Sequence, residues 1–476
     1  MKYKQTILLI YFSILITCNV KEESSELETL PNIVLIYTDD QGYNDLGVYG
    51  SPDILTPNLD QLAQEGMRFT NFYVAQAVCS ASRAALLTGT YPNRIGIHGA
   101  LDHSSRHGLN PEEVTIAKML KPKGYQTAIF GKWHLGHYPE FLPTNHGFDE
   151  FFGIPYSNDM WPYHPETKDY YPPLPLYENE KVVDTLHTDQ SMLTTWLTER
   201  AISFIEKNRE KPFFLYLPHP MPHVPLFVSE KFEGKSERGL YGDVIMELDW
   251  SVGEIVKSIR EKGLEENTLI IFLSDNGPWL SYSLHAGSAY PLKEGKGTSW
   301  DGGVKVPAIF KWPGKIPAQS VQKHPAMNID ILPTIAAVTG AGLPENHIDG
   351  MEITSMWKNT ASKSPQEAYF IYYNRNDLQA VLMDEWKLVL PHSYRSLKEG
   401  QSPREDGMPL KYEMRELSKP ELYHIAKDQS ESTNVIEDYP DIYQKMLDLA
   451  EHARKDLGDA LTEKEGVNLR KPGTID

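Results

Sequence analysis

Four short apolar runs, each ending in a polar cluster, constrain this chain more than anything else in it. Residues 32–38 (Asn-Ile-Val-Leu-Ile-Tyr-Thr) stop at Asp39-Asp40. Residues 126–130 stop at Gly131-Lys132-Trp133-His134, and residues 212–217 at Pro218-His219 with His223 just beyond. Residues 268–274 stop at Asp275-Asn276-Gly277. Near-continuous apolar runs mark strands covered on both faces. Helical patterns lie between them. One begins at Thr56-Pro57 and stops at Gly66, one runs from Asn110-Pro111 to Leu120, and longer ones cover 187–208 and 241–262. Their caps, prolines and glycines fit helix ends. Strands alternating with helices predict an α/β fold with a large, mostly parallel sheet flanked by helices. In such sheets ligands sit beyond the carboxyl ends of the strands. The polar clusters all fall there, so they are expected to form one site.

The pattern changes after about residue 351. Residues 368–373 and 379–390 read as strands, the second broken at Asp384-Glu385; a short strand follows at 421–425 and a helix at 438–457. Strands followed by a helix predict a small α+β subdomain with an antiparallel sheet. Ahead of the first strand, Lys2, Lys4 and the apolar stretch 7–16 read as an export signal too short to span a bilayer. Leu15-Ile16-Thr17-Cys18 resembles a bacterial lipobox. On that reading Cys18 is lipidated and the protein is exported and anchored at the outer membrane; on the other, Cys18 is discarded with a cleaved signal peptide. The expected organisation is a signal peptide (1–17), an acidic tether (18–30), a catalytic domain (31–355) and a C-terminal subdomain (356–476). The net charge of −19 excludes nucleic acid as a bulk electrostatic partner. It also requires any anionic ligand to be captured by a local cationic pocket.

Asp39, Asp40, Asp275 and Asn276 are hard oxygen donors. Alone, each pair reads as a turn or a cap; at one sheet edge they suit Ca²⁺, or less well Mg²⁺, rather than Zn²⁺. Cys79 is the other unusual feature. Beyond the leader it is the chain's single cysteine, with no disulfide partner. It precedes a helical pattern closed by Gly89, so it sits where a helix dipole favours anions. Ser80 or Ser82 is a candidate cap, and Arg83 lies one turn on, on the same face. Taken alone, a lone cysteine reads as a buried structural residue.

Its context reads otherwise. Cys79-x-Ala81-x-Arg83, followed by Ala-Ala-Leu-Leu-Thr-Gly, resembles the signature of the type I sulfatases, a family of alkaline-phosphatase-like fold. Gly131-Lys132-Trp133-His134-Leu135-Gly136 resembles the family's second signature. The opening strand with Asp39-Asp40, Gly153-Ile154-Pro155-Tyr156-Ser157, Pro222-His223-Val224-Pro225, Asp275-Asn276-Gly277 and Gly295-Lys296-Gly297 are similar to it in order and spacing. The closing Glu421-Leu422-Tyr423 run looks like its C-terminal subdomain.

The resemblance implies a sulfuric ester hydrolase in which Cys79 is oxidised to formylglycine (3-oxoalanine) by a formylglycine-generating or anaerobic sulfatase-maturating enzyme. The aldehyde hydrate attacks sulfur, and its second hydroxyl later releases sulfate and restores the aldehyde. The resemblance further implies that Asp39, Asp40, Asp275, Asn276 and residue 79 hold the cation and that Arg83 orients residue 79. Lys132 and Lys296 bind sulfate oxygens, and Ser157 bonds sulfate or His134. His134 removes a proton in the second step, and His223 protonates the leaving oxygen. His98, His103, His107 and His219 are candidates for the rim. An exported, membrane-anchored enzyme meets extracellular material, so a sulfated saccharide is the expected substrate, an algal polysaccharide fragment among the options. Residues 161–171 with Asn374, Arg375 and His392 are candidates for a sugar cleft. The alternatives are a phosphatase or phosphodiesterase of the same superfamily, a non-catalytic saccharide-binding lipoprotein, and a cysteine protease, which would leave the acidic residues unexplained.

Overall fold

The computed structural model describes residues 30–475. The export signal, the lipobox with Cys18 and most of the tether lie outside the described residues. Among the described residues no helix is long and apolar enough to cross a membrane.

The strands that place the site are β1 (Asn32–Thr38), β2 (Met67–Tyr73), β3 (Gln126–Lys132), β4 (Glu150–Ile154), β5 (Leu174–Glu178), β6 (Lys181–Leu186), β7 (Phe213–Pro218), β8 (Thr268–Ser274), β9 (Lys305–Lys311) and β10 (Ser320–Gln322). They form one sheet in the order β10-β2-β9-β8-β1-β7-β3-β4-β5-β6, with Ala326–Met327 added beside β2. β8, β1, β7, β3 and β4 run parallel. β9 runs antiparallel between β8 and β2.

β1 shows why its sequence is uniformly apolar. Ile33, Leu35 and Tyr37 enter one core, while Val34 and Ile36 enter the other. Helices α1 (Pro57–Gln64), α3 (Leu193–Lys207) and α4 (Leu240–Glu261) cover the Val34 face. Helices α2 (Cys79–Thr88) and α5 (Ile331–Thr339) cover the Ile33 face. A strand buried on both sides has no solvent face on which to alternate.

The C-terminal part adds β11 (Tyr369–Tyr373), β12 (Asp377–Met383), β13 (Trp386–Val389), β14 (His392–Leu397), β15 (Tyr412–Leu417), β16 (Glu421–His424) and helix α6 (Pro440–Leu457). β11-β12-β13-β16 form an antiparallel sheet, and β14-β15 a separate hairpin. Met446, Ala450, Ala453 and Leu457 of α6 join the core that contains Ile33 and Leu35, so that core is continuous across both parts. A buried charge cluster also crosses the junction. Lys387 of β13 donates to Asp301 Oδ1 and pairs with Glu431 Oε1, each at 2.7 Å, and Glu431 Oε2 accepts from the Asp301 amide at 2.8 Å.

Two helix expectations are corrected. The pattern from Asn110 to Leu120 is helical only at Ile116–Leu120, capped by Thr115. Asn110 instead closes a turn, its side chain accepting from the Glu112 amide and its carbonyl from the Glu113 amide. The 187–208 pattern becomes helix only at Leu193, because Asp189 takes the Ser191 amide in a side-chain turn.

Candidate active site

The carboxyl ends of β1 and β8 are adjacent and in register, Tyr37 opposite Leu273 and Thr38 opposite Ser274. That pairing sets Asp39-Asp40 beside Asp275-Asn276. Asp40 adopts φ 64°, in the left-handed region that Asp tolerates better than most residues. The turn lets its amide donate to Asp275 Oδ1 at 3.1 Å and its Oδ1 accept from Asn276 Nδ2 at 2.7 Å. Carboxylate oxygens of Asp39, Asp40 and Asp275 lie within 4.8 Å of one another, all buried.

β2 leads into α2 at the same edge. Cys79 occupies its first turn and is only 2 % exposed. Neither serine caps the helix: Ser80 Oγ accepts from the Leu101 amide, and Ser82 Oγ bonds Tyr37 Oη. Arg83, fully buried, donates from Nη2 to Asp39 Oδ2 (3.1 Å) and Asp275 Oδ2 (2.8 Å), and from Nη1 to the Lys132 carbonyl. One guanidinium thus ties the ends of β1, β8 and β3 together.

β3 delivers Lys132, whose ammonium bonds Asp39 Oδ2 and, at 3.0 Å, Ser157 Oγ beyond β4. Ser157 therefore meets Lys132 rather than His134. Gly131 has φ 137°, and a Cβ there would stand 2.0 Å from the Pro218 carbonyl, so glycine lets β3 pass β7. Lys296 arrives on the segment before β9 and pairs with Asp40 at 2.6 Å; its Nζ is 3.9 Å from Cys79 Sγ. Three carboxylates and three cations are thus packed around the thiol.

The two predicted histidines also converge. Buried His134 bonds the Leu101 carbonyl through Nε2 at 2.6 Å. A carbonyl only accepts, so Nε2 carries the proton. Burial first, then Lys132 and Arg83, push its pKa well below the usual range. The ring is neutral, and Nδ1, buried with no hydrogen-bond partner, is a free lone pair. His223 donates from Nδ1 to the Val224 carbonyl (2.6 Å), and its Nε2 is 3.5 Å from Asp40 Oδ2.

Burial raises the Asp39 carboxyl, but Lys132 and Arg83 outweigh it and hold it well below the usual carboxylate range. Burial and then the Asp39 charge push Asp275 up. The three side-chain cations match the three carboxylates in number but do not reach every oxygen of the set. Asp39 Oδ1 and Asn276 Oδ1 are buried without a partner. Two orphaned oxygens in an all-oxygen set fit a hard divalent cation.

Among the rim candidates, burial first and then His107 lower the His98 pKa, and His103 packs on Tyr170 and Tyr171 at ring distances of 5.5 and 5.2 Å. His219 does not belong to the rim; it is buried, with Nε2 3.2 Å from Ser251 Oγ of α4. Asn374 is spent on a turn with Asp377, and His392 bonds the Leu390 carbonyl. Three neighbours were not foreseen. Trp279 lies between His223 (ring distance 5.5 Å) and the Lys296 ammonium (4.6 Å). Tyr373 packs against the buried cluster of Val78, Cys79 and Ala81, and the Leu101 carbonyl fixes the His134 tautomer. Trp279 stands four residues past Asp275, a usable signal; Tyr373 and Leu101 carried none.

The family model described as Sulfatase matches residues 31–341, and one described as N-sulphoglucosamine sulphohydrolase, C-terminal, matches residues 295–399. The chain is 44% identical over 363 residues to bovine (Bos taurus) arylsulfatase A, covering 72% of this chain and 70% of that one. It is 34% identical over 459 residues to N-acetylgalactosamine-6-sulfatase of Canis lupus familiaris, covering 90% and 86%. Among solved structures it is similar to Ps i-CgsB in complex with k-i-k-neocarrahexaose (TM-score 0.75, 32% identity, covering 89% of this chain and 92% of that one).

Proposed function

The chain belongs to the sulfatase family and is a sulfuric ester hydrolase, and on that premise we propose that it removes sulfate from sulfated saccharides with a formylglycine made from Cys79. The observation that carries this reading is the setting of Cys79. It lies at a helix start, 3.9 Å from the Lys296 ammonium, with its Sγ in one ligand-sized cluster with Asp39 and His223. The two prospective ligand groups share Asp39, which favours a single cation over the metal pair of a phosphatase. The carrahexaose bound in Ps i-CgsB and the galactosamine sulfate named for the canine relative support a saccharide. An exported lipoprotein anchored through Cys18, matured by a formylglycine-forming enzyme, remains part of the same proposal, as do the boundaries of the two domains near residue 355.

In this mechanism Asp39, Asp40, Asp275, Asn276 and residue 79 would hold the cation, best as Ca²⁺, which would supply charge neutralisation and a more acidic hydroxyl. A formylglycine hydrate would supply two hydroxyls, so that one can attack and the other can later expel sulfate. Lys132 and Lys296 hold sulfate oxygens, supplying the positive charge that a −19 protein otherwise lacks. Arg83 fixes Asp39 and Asp275 in place. His223, entering the step as an imidazolium beside Asp40, gives its Nε2 proton to the leaving oxygen and keeps its Nδ1 proton on the Val224 carbonyl. His134 Nδ1, the free lone pair, takes the proton of the second step.

The test is sulfate release from a panel of defined sulfated saccharides and aryl sulfates, with Cys79→Ala as the comparison. Release by the wild type and none by the variant is expected; equal release by the two would sink the mechanism. The mass of the peptide containing residue 79, taken from the native host, separately decides whether the aldehyde is there.

A further inference from the structure

Lys296 is carried by residues 293–301, a segment with left-handed backbone at Glu294 (φ 58°) and Gly297 (φ 79°). The first domain holds one side of it: the Lys296 amide donates to the Pro278 carbonyl (2.9 Å) and the Gly297 amide to the Ala77 carbonyl (3.0 Å). The C-terminal subdomain holds the other. Ser396 Oγ donates to Glu294 Oε1 at 2.7 Å, and Ser299 Oγ to Gln379 Oε1 at 2.8 Å. Between them Arg395 of β14 donates from Nε (3.1 Å) and Nη2 (2.5 Å) to the carbonyl of Lys296 itself. Its guanidinium lies 4.7 Å from the Tyr412 ring of β15 and 5.9 Å from the Trp279 ring.

The carbonyl it grips belongs to the peptide between Lys296 and Gly297. Glycine crosses between left- and right-handed backbone at little cost, so the local backbone leaves this peptide plane free to turn. The Gly297 amide pins its N–H edge on the Ala77 carbonyl, and two N–H donors from a charged group pin its carbonyl edge. The fit is reciprocal: a Cβ on Gly297 would stand 2.3 Å from Arg395 Nη2 and would push the guanidinium off the carbonyl.

We propose that Arg395 is a positioning residue for Lys296: by locking the 296–297 peptide it aims the Lys296 ammonium at Asp40 and residue 79, and the β14-β15 hairpin thereby completes the active site. This rests on the reading of Lys296 as a sulfate-binding group.

The test uses the full-length matured enzyme with Arg395→Ala, Arg395→Lys, Lys296→Ala and the Arg395→Ala/Lys296→Ala double variant. Arg395→Ala is expected to lower kcat/KM on an aryl sulfate about tenfold or more, since small displacements of a charge-stabilising group are costly. Inhibition by inorganic sulfate is expected to weaken by a similar factor. Arg395→Lys, with an ammonium that still donates to the carbonyl, is expected to recover part of both, and it serves as the folded comparison if the alanine variant melts early. In the Lys296→Ala background the arginine substitution is expected to cost less than twofold. Multiplying losses in the double variant would overturn the proposal, because they would mean that Arg395 acts other than through Lys296. Amide hydrogen exchange over residues 294–298 gives a readout independent of catalysis. Faster exchange in Arg395→Ala supports the proposal, and unchanged exchange overturns it. If Lys296→Ala keeps full activity, the reading of the site fails, while the exchange experiment still judges the grip of Arg395.

Discussion

A thiol that is 2 % exposed and pushed up to about 11, by burial first and against the pull of Lys132 and Lys296, is a poor nucleophile at neutral pH. The same position is well built for a group that does not need to ionise as a thiolate, between two ammonium groups and a set of oxygen donors. We therefore expect iodoacetamide at pH 7.5 to leave Cys79 of folded, unconverted protein unlabelled and to label it once the protein is denatured; peptide mass spectrometry gives the answer, and rapid labelling of the folded form would contradict the burial. A second prediction at this scale concerns Lys387, which faces Asp301 and Glu431 with all three side chains fully buried. Lys387→Met removes a cation that bonds both carboxylates, leaving Asp301 only the longer ion pair with Lys305, and is expected to cost about 3–5 kcal/mol, read from denaturant unfolding. The residue types of the site were legible because each stands at the end of an apolar run. The direction of each proton was not: it depends on the Leu101 and Val224 carbonyls, and Leu101 lies 33 residues from its histidine.

At the scale of elements, β1, β8, the β12-β13 hairpin with its turn at Asp384, and α4 follow the sequence pattern within a residue or two, because each is long, apolar and closed by polar residues or a turn. The β5-β6 and β14-β15 hairpins were not read from the sequence. Residues 392–397 and 412–417 carry few large apolar side chains, and their pairing is set by what they lie against. A third unforeseen element is the segment after Gly466. The Arg470 amide donates to the Arg94 carbonyl, and its side chain pairs with Glu113; Gly473 and Thr474 pair with Gly108 and His107. This strap backs the loop whose Leu101 carbonyl holds His134. Deleting residues 466–476 is expected to lower kcat about tenfold, with less effect on KM, as a misplaced proton-transfer group would. Steady-state kinetics beside a melting curve decide it; an unchanged kcat would show that the loop holds itself.

For the molecule as a whole, buried neutral histidines give stability a pH dependence of definite sign. Burial holds His146 and His219 down to about 3, from an ordinary value near 6.5. The unfolded chain therefore binds these protons below about pH 6.5, while the folded protein does not until about pH 3. The stability these two histidines contribute is full above 6.5 and is lost as pH falls through that window, with a slope of up to about 1.4 kcal/mol per pH unit for each, while carboxyls that burial raises to about 6, Asp249 and Asp330, act in the opposite sense. Denaturant midpoints between pH 8 and 4 for the wild type beside His219→Gln isolate that contribution, and parallel profiles would refute it. The sequence by itself determined the α/β class, the parallel centre of the sheet and the residue types at one sheet edge, because apolar periodicity and strand ends are local properties of a chain. Only the tertiary structure decided which nitrogen of His134 is free, which oxygens at the strand ends are buried without a partner, and that β14 reaches back to grip the Lys296 carbonyl. Those depend on contacts between segments up to 236 residues apart, and no local pattern encodes where such segments meet.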